Sequence, residues 1–322
     1  MSHAVSVCAI ALSSALAWKG FTPPDAPTRL GAIGDLSEEP ADLKRAFDPT
    51  GFEPIAVPGS SDWLAQHEEP GETFLEFKSA KRNVPAGKRR KIYFQPLGDF
   101  ARDKSPSLDA LKDFAAAYFG VEVIVLPTEK LEEKAFSPRE NEFSRNRQIL
   151  TTDVMEWLKK KLPDDAFCVL AITMTDLYPD PKWNFVFGQA SIRGRVGVYS
   201  FARYDPQFYG KQRGKDFAKL ILLRSMKVLA HETGHMFGIA HCIFFQCCMN
   251  GSNNLEESDA QPLHLCPICL RKLHASARFD VAARYRKLGE TYKLLGLEAE
   301  SKWVNQRADR VEGDKKSGAA GR

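Results

Sequence analysis

Apolar residues in this chain come in short runs whose spacing alternates between the period of a strand and that of a helix. Lys91-Ile-Tyr-Phe-Gln-Pro-Leu97 reads as a strand, and residues 107–119 read as an amphipathic helix with Ser107 or Asp109 near its start and Gly120 as its stop. Val121-Glu-Val-Ile-Val-Leu126 then reads as a second strand. Strand, helix, strand in that order predicts a βαβ unit with parallel pairing, because a crossover returns the chain to the same end of the sheet. Thr151 or Thr152 is expected to cap a helix through Lys161. Residues 167–174 are apolar without a break, as in a strand covered on both faces. Residues 185–192 and 196–201 flank Arg193-Gly-Arg195 and predict an antiparallel hairpin, the first of the two lying at an exposed sheet edge. Long helices are predicted over 216–237 and 280–295. The whole pattern is that of an α/β fold, with no internal repeat. Beyond Ser301 the chain turns polar and predicts a frayed tail.

The end of the 216–237 helix carries the chemistry. His231-Glu-Thr-Gly-His235-Met-Phe-Gly238-Ile-Ala-His241 places two histidines four positions apart, so both rings leave one helix face a turn from each other. That spacing suits two imidazoles gripping one Zn2+. Gly238 can take the positive φ at which a helix stops and the chain turns back, bringing His241 round as a third ligand. Three protein ligands leave a fourth position open to water, the arrangement of catalytic zinc. Glu232 points off the ligand line and is placed to act as general base.

Five of the seven cysteines follow at once: Cys242, Cys247, Cys248, Cys266 and Cys269. Cys242-x4-Cys247 and Cys266-Pro-Ile-Cys269 are two close thiol pairs separated by a loop, the spacing of a structural four-cysteine zinc site. Buried free thiols, a disulfide, or a redox Cys-x-x-Cys are the other readings, the last weakened by the lack of a preceding strand. Cys248 sits one place off the pattern and reads as a packed thiol that could exchange with Cys247 as ligand. Met249 precedes the turn signal Asn250-Gly251, where its thioether could floor the zinc ligands or simply fill the core.

Composition narrows the function classes. A hydrophobic content of 43% is ordinary for a globular protein, and a net charge of +4 over 322 residues makes no case for nucleic acid. The basic run over 78–91 reads as a solvated loop before a strand. No apolar run approaches the roughly 18–20 residues needed to span a bilayer. Residues 4–17 could be a secretory apolar region ending in Ala-Leu-Ala, but no Lys or Arg precedes them. Metal-like cysteine spacing, and a lone sequon at Asn250-Gly-Ser252 inside the expected turn, favour cytosol or nucleus over export.

Together, residues 231–253, 255–257 and 262–273 resemble the archaemetzincin family, within the metzincin group of zinc peptidases. Residues 165–179, 183–191 and 197–204 are similar to its eukaryotic branch, and the likeness runs over about 50–295, although the segment 209–219 is short. The resemblance implies a zincin-like fold: a mixed twisted sheet with an antiparallel edge strand, a long active-site helix, a Met-turn and a four-cysteine zinc subsite. It implies two zinc ions, a catalytic one at His231, His235 and His241 with Glu232 as base, and a structural one at Cys242, Cys247, Cys266 and Cys269. Met249 would be the Met-turn residue. Residues 1–85 are then expected as an N-terminal extension, 86–300 as the catalytic domain and 301–322 as a flexible tail. The expected function is peptide-bond hydrolysis by a monomer acting on a peptide or protein, without nucleic acid or membrane. The competing expectation is a zinc-stabilised protein- or nucleic-acid-binding module.

Overall fold

In the computed structural model, which describes residues 20–313, four short helices lead the chain: α1 (Ala26–Ile33), α2 (Ala41–Phe47), α3 (Trp63–Gln66) and α4 (Phe74–Ser79). The last begins with a reciprocal cap, in which Thr73 Oγ1 accepts from the Glu76 N–H while the Glu76 carboxylate accepts from the Thr73 N–H. β1 (Lys91–Leu97), α5 (Leu108–Phe119) and β2 (Val123–Val125) form the expected βαβ unit, with Ile92 opposite Val123 in parallel register. Ser107 caps α5 by accepting from the Ala110 N–H, and Gly120 ends it at φ 65°.

The chain continues through β3 (Arg139–Glu140), β4 (Arg147–Leu150), α6 (Thr151–Lys160), β5 (Ala166–Thr173), β6 (Asp176–Tyr178), β7 (Gly188–Ser191) and β8 (Val196–Ser200). Five strands make the main sheet in the order β2-β1-β5-β8-β7, parallel except for β7, which pairs antiparallel with β8 at the edge. Both predicted hairpin arms are present, shortened by turns. β5 is buried along its whole length because its two faces serve two cores. Cys168, Leu170 and Ile172 enter the larger one with Phe114 and Phe237, while Val169 and Ala171 enter a smaller one with Val154 and Leu158 of α6. That division explains why β5 has no polar face to show.

One expectation changes here, and one sheet has no counterpart in the sequence pattern. Neither Thr151 nor Thr152 caps α6: Leu150 occupies the cap position, and the buried Thr151 hydroxyl is spent on the Tyr178 carbonyl and the Gln189 side chain. A second sheet, β3-β4-β6, joins strands of two to four residues, too short to show a periodicity.

α7 (Phe217–Met236) crosses the larger core and is followed by α8 (Leu255–Ala260), α9 (Pro267–Ala277), α10 (Val281–Leu294) and α11 (Glu298–Glu312). The polar stretch expected to fray from 301 is helical through 312, because Val304, Ala308 and Val311 fall on one stripe and are buried against α10 and α2. Nor does the leading segment stand apart: Phe47, Phe52, Trp63, Leu64 and Phe77 lie in the same core as α7. The apolar run at 4–17 and the end of the expected tail lie outside the described residues. Among the described residues, no helix is long and apolar enough to cross a membrane.

Candidate metal centre

α7 carries His231 and His235 on one face, and the helix ends as its sequence predicts. Gly238 adopts φ 85°, its N–H reaches the His235 carbonyl at 2.8 Å, and the chain doubles back to present His241. The three rings meet, with centroids 4.6, 5.2 and 5.1 Å apart.

Hydrogen bonding then decides which nitrogens face inward. His231 Nδ1 lies 2.8 Å from the Cys248 carbonyl, His235 Nδ1 2.7 Å from the Ile239 carbonyl, and His241 Nδ1 2.7 Å from a Glu69 carboxylate oxygen. Those oxygens can only accept, so each Nδ1 donates its proton and the ring's lone pair falls on Nε2. The His231 and His235 Nε2 atoms approach to 3.0 Å, and the ligand atoms of all three rings lie within 4.8 Å of one another. Lone pairs crowded in this way repel unless a cation lies between them, so the residues fit a metal ion. Burial, joined by the neighbouring imidazole His241, pushes His231 down to about 3, and burial also holds His235 well below its ordinary value. Both rings are therefore neutral, the form that coordinates metal.

Glu232 is buried beside this centre, and the loss of solvent pushes its carboxyl up to about 8. A narrow pocket opens next to it, walled by Phe187, Tyr204, Val228 and Leu255, with Lys227 bonded to the Ser258 and Asp259 carbonyls along one side. Met249 lies under the helix turn between the two histidines. A Cβ placed on Gly234 would come within 2.5 Å of the Met249 sulfur, so helix and thioether touch only because residue 234 has no side chain.

A second cluster begins one residue beyond His241. The sulfurs of Cys242, Cys247, Cys266 and Cys269 all lie within 4.8 Å of one another and are buried. The Cys242 and Cys266 sulfurs stand 3.6 Å apart, far beyond the roughly 2.05 Å of a disulfide bond. Cys247 Sγ accepts the N–H groups of Met249 at 3.4 Å and Cys266 at 3.2 Å, so two backbone donors face this sulfur. Cys248 turns away: it lines the pocket beside His231 and its thiol approaches the Lys227 carbonyl, so Cys247 is the one that joins the cluster. The intervening loop is closed by the Cys242 N–H on the Met249 carbonyl at 2.8 Å. Asn250 ties the loop further, accepting from the Cys247 N–H and donating to the carbonyls of Cys242 and Phe245.

Two residues of the centre have no signal in the sequence. Glu69 and Trp63 reach it from the leading segment, Glu69 through His241 and Trp63 by placing its indole edge-on to that ring at 5.2 Å. Nothing in His67-Glu-Glu-Pro70 announces a partner 172 positions away.

The chain matches the model of peptidase family M54 over residues 131–275. It is 41% identical to archaemetzincin-2 of Mus musculus over 275 residues, covering 76% of this chain and 77% of the mouse protein. It is 32% identical to archaemetzincin-1 of Homo sapiens over 276 residues, 76% of this chain and 55% of that protein. Among solved structures it is similar to the archaemetzincin of Methanopyrus kandleri, at 32% identity, 61% of this chain, 99% of that one and a TM-score of 0.45.

Proposed function

This chain belongs to the archaemetzincin family, zinc metallopeptidases of peptidase family M54, and from that membership we propose how its residues divide the work. His231, His235 and His241 hold a catalytic zinc, and Cys242, Cys247, Cys266 and Cys269 hold a second, structural one. Zinc in a three-histidine centre supplies Lewis acidity to a water molecule and to the carbonyl of a peptide bond. Everything else in the reaction falls to the protein. Glu232, adjacent in sequence to the first ligand and buried at the pocket, takes a proton from the attacking water and returns it to the departing amine. Met249 supports the turn of α7 from which two ligands project. Among the described residues β7 is an outer strand of the main sheet, so an extended peptide can add to it as a further strand and lay a side chain against Phe187 and Tyr204.

One observation carries this reading: three imidazole lone pairs are turned inward by three Nδ1 hydrogen bonds, with a carboxylate next in sequence. A module that only binds has no use for that carboxylate. The basic run at 78–91 contributes no member to the three-histidine or the four-cysteine group.

The test is Glu232→Gln, which keeps the shape and removes the base. Zinc content should stay at the wild-type value while cleavage of a mixed peptide library falls by about 10²–10⁴. Undiminished cleavage by this variant would take Glu232 out of the mechanism.

A further inference from the structure

Two of the three histidines are oriented by backbone carbonyls, whereas His241 is oriented by a carboxylate, Glu69, brought from the leading segment. We infer that Glu69 is a positioning residue for the catalytic zinc, and that α3 and the turn after it complete a metal centre whose ligands all lie elsewhere. This rests on the reading of His231, His235 and His241 as the zinc ligands.

The contact is built rather than incidental. Glu69 Oε1 accepts from His241 Nδ1 at 2.7 Å and from the Trp63 indole N–H at 2.8 Å, so one oxygen is held from two sides. The His241 side chain is 5% exposed and that of Glu69 20%, which shields the pair from competing water. Trp63 is itself locked in place. Its backbone N–H donates to Glu257 at 2.9 Å, and its ring lies so close over Gly251 that a Cβ there would come within 2.5 Å. Glu257 also accepts from the Asn253 N–H, so α3 is fastened to the loop just past Met249.

A carboxylate on the far nitrogen does more than a carbonyl can. It fixes the ring's tautomer and tilt as a carbonyl does, and its negative charge makes the inward Nε2 a stronger donor to a cation. Of the three rings, His241 is the one outside the regular helix, so it has the most orientation to gain. Glu69 also lies outside residues 131–275, the stretch that matches the family model. The inference therefore concerns a part of the chain that the ligand pattern does not reach.

The test uses full-length protein loaded with zinc and titrated with a chromophoric chelator, following release of each ion. The four-cysteine zinc serves as an internal reference. Glu69→Ala should release the first zinc at a chelator concentration about 10–100-fold lower than wild type. Glu69→Gln, which keeps an oxygen acceptor and nearly the same shape, should fall between the two and covers the case in which the alanine variant folds poorly. Release of the second zinc should not shift in either. Trp63→Phe, which loses the indole N–H but keeps an aromatic ring, should lower melting temperature with a smaller effect on zinc than Glu69→Ala. His241→Ala should lose the first zinc altogether. If Glu69→Gln and Glu69→Ala both release zinc as wild type does while His241→Ala loses it, the positioning role is wrong and the ligand reading stands. If His241→Ala retains the first zinc, both are wrong.

Discussion

At Gly234, two opposing effects of one methyl group can be weighed. An alanine there would gain about 0.5–1 kcal/mol from reduced backbone freedom in the unfolded chain. Its Cβ would also stand 2.5 Å from the Met249 sulfur and 3.0 Å from its terminal methyl. Met249 is fully buried and cannot swing aside, and overpacking of this kind costs about 1–3 kcal/mol. Gly234→Ala should therefore be less stable by about 1 kcal/mol in urea denaturation and should bind zinc more weakly at the histidines; greater stability would mean that thioether and helix are not in contact. The meeting of the three histidines is legible because eleven consecutive residues carry them, and a helix converts that spacing directly into geometry. Cys248 was not separable from Cys247 in sequence, since adjacent side chains on an irregular loop can point either way. Glu69 was illegible for another reason: its contact is set by tertiary packing, and no local period connects it to His241.

Elements follow the same logic at larger spacing. The helices α5 and α7 are readable because each combines a sustained period with a stop residue, Gly120 or Gly238, and β5 because its apolar run is unbroken. α11 was not, since its buried stripe contains Ser301 and Arg307 along with Val304, Ala308 and Val311, which leaves too few apolar residues to mark a face. Arg307 is the residue that makes this helix part of the fold. Its guanidinium donates to the Thr50 carbonyl at 2.9 Å and the Ala46 carbonyl at 3.3 Å, and it lies 4.3 Å over the Phe52 ring. Ala46 is fully buried, so its carbonyl has no ready access to water once the donor is gone. An orphaned buried acceptor costs about 1–3 kcal/mol, and loss of the ring contact adds to that. Arg307→Ala should accordingly lower the unfolding free energy by about 2–3 kcal/mol while leaving zinc stoichiometry unchanged, as denaturant melts and metal analysis would register. A loss below about 0.5 kcal/mol would show that α11 does not depend on this anchor.

For the molecule as a whole, the two clusters differ in what holds them when metal leaves. The three histidines keep their oxygen partners at Cys248, Ile239 and Glu69, none of which requires a cation. The four sulfurs have few such partners, since they are buried against one another. They also sit at a junction. Cys266 stands at the N-cap position of α9, and from α9 Arg271 reaches the carbonyls of Ile33 and Asp35 while Lys272 reaches Glu72, so the leading segment is fastened through this helix. A four-cysteine zinc contributes apparent binding energy of about 10–16 kcal/mol in small peptides, as much as the whole net stability of a typical domain, about 5–15 kcal/mol. Chelation should therefore proceed in two stages. The first zinc and peptidase activity should disappear together with far-ultraviolet circular dichroism nearly unchanged, and the second should leave only as helical signal collapses. Parallel measurement of metal, cleavage and dichroism along one chelator titration distinguishes this from its opposite. Were the helical signal to survive removal of both ions, the cysteines would not be bracing the fold, and the leading segment would have to be held against α7 by its apolar packing alone.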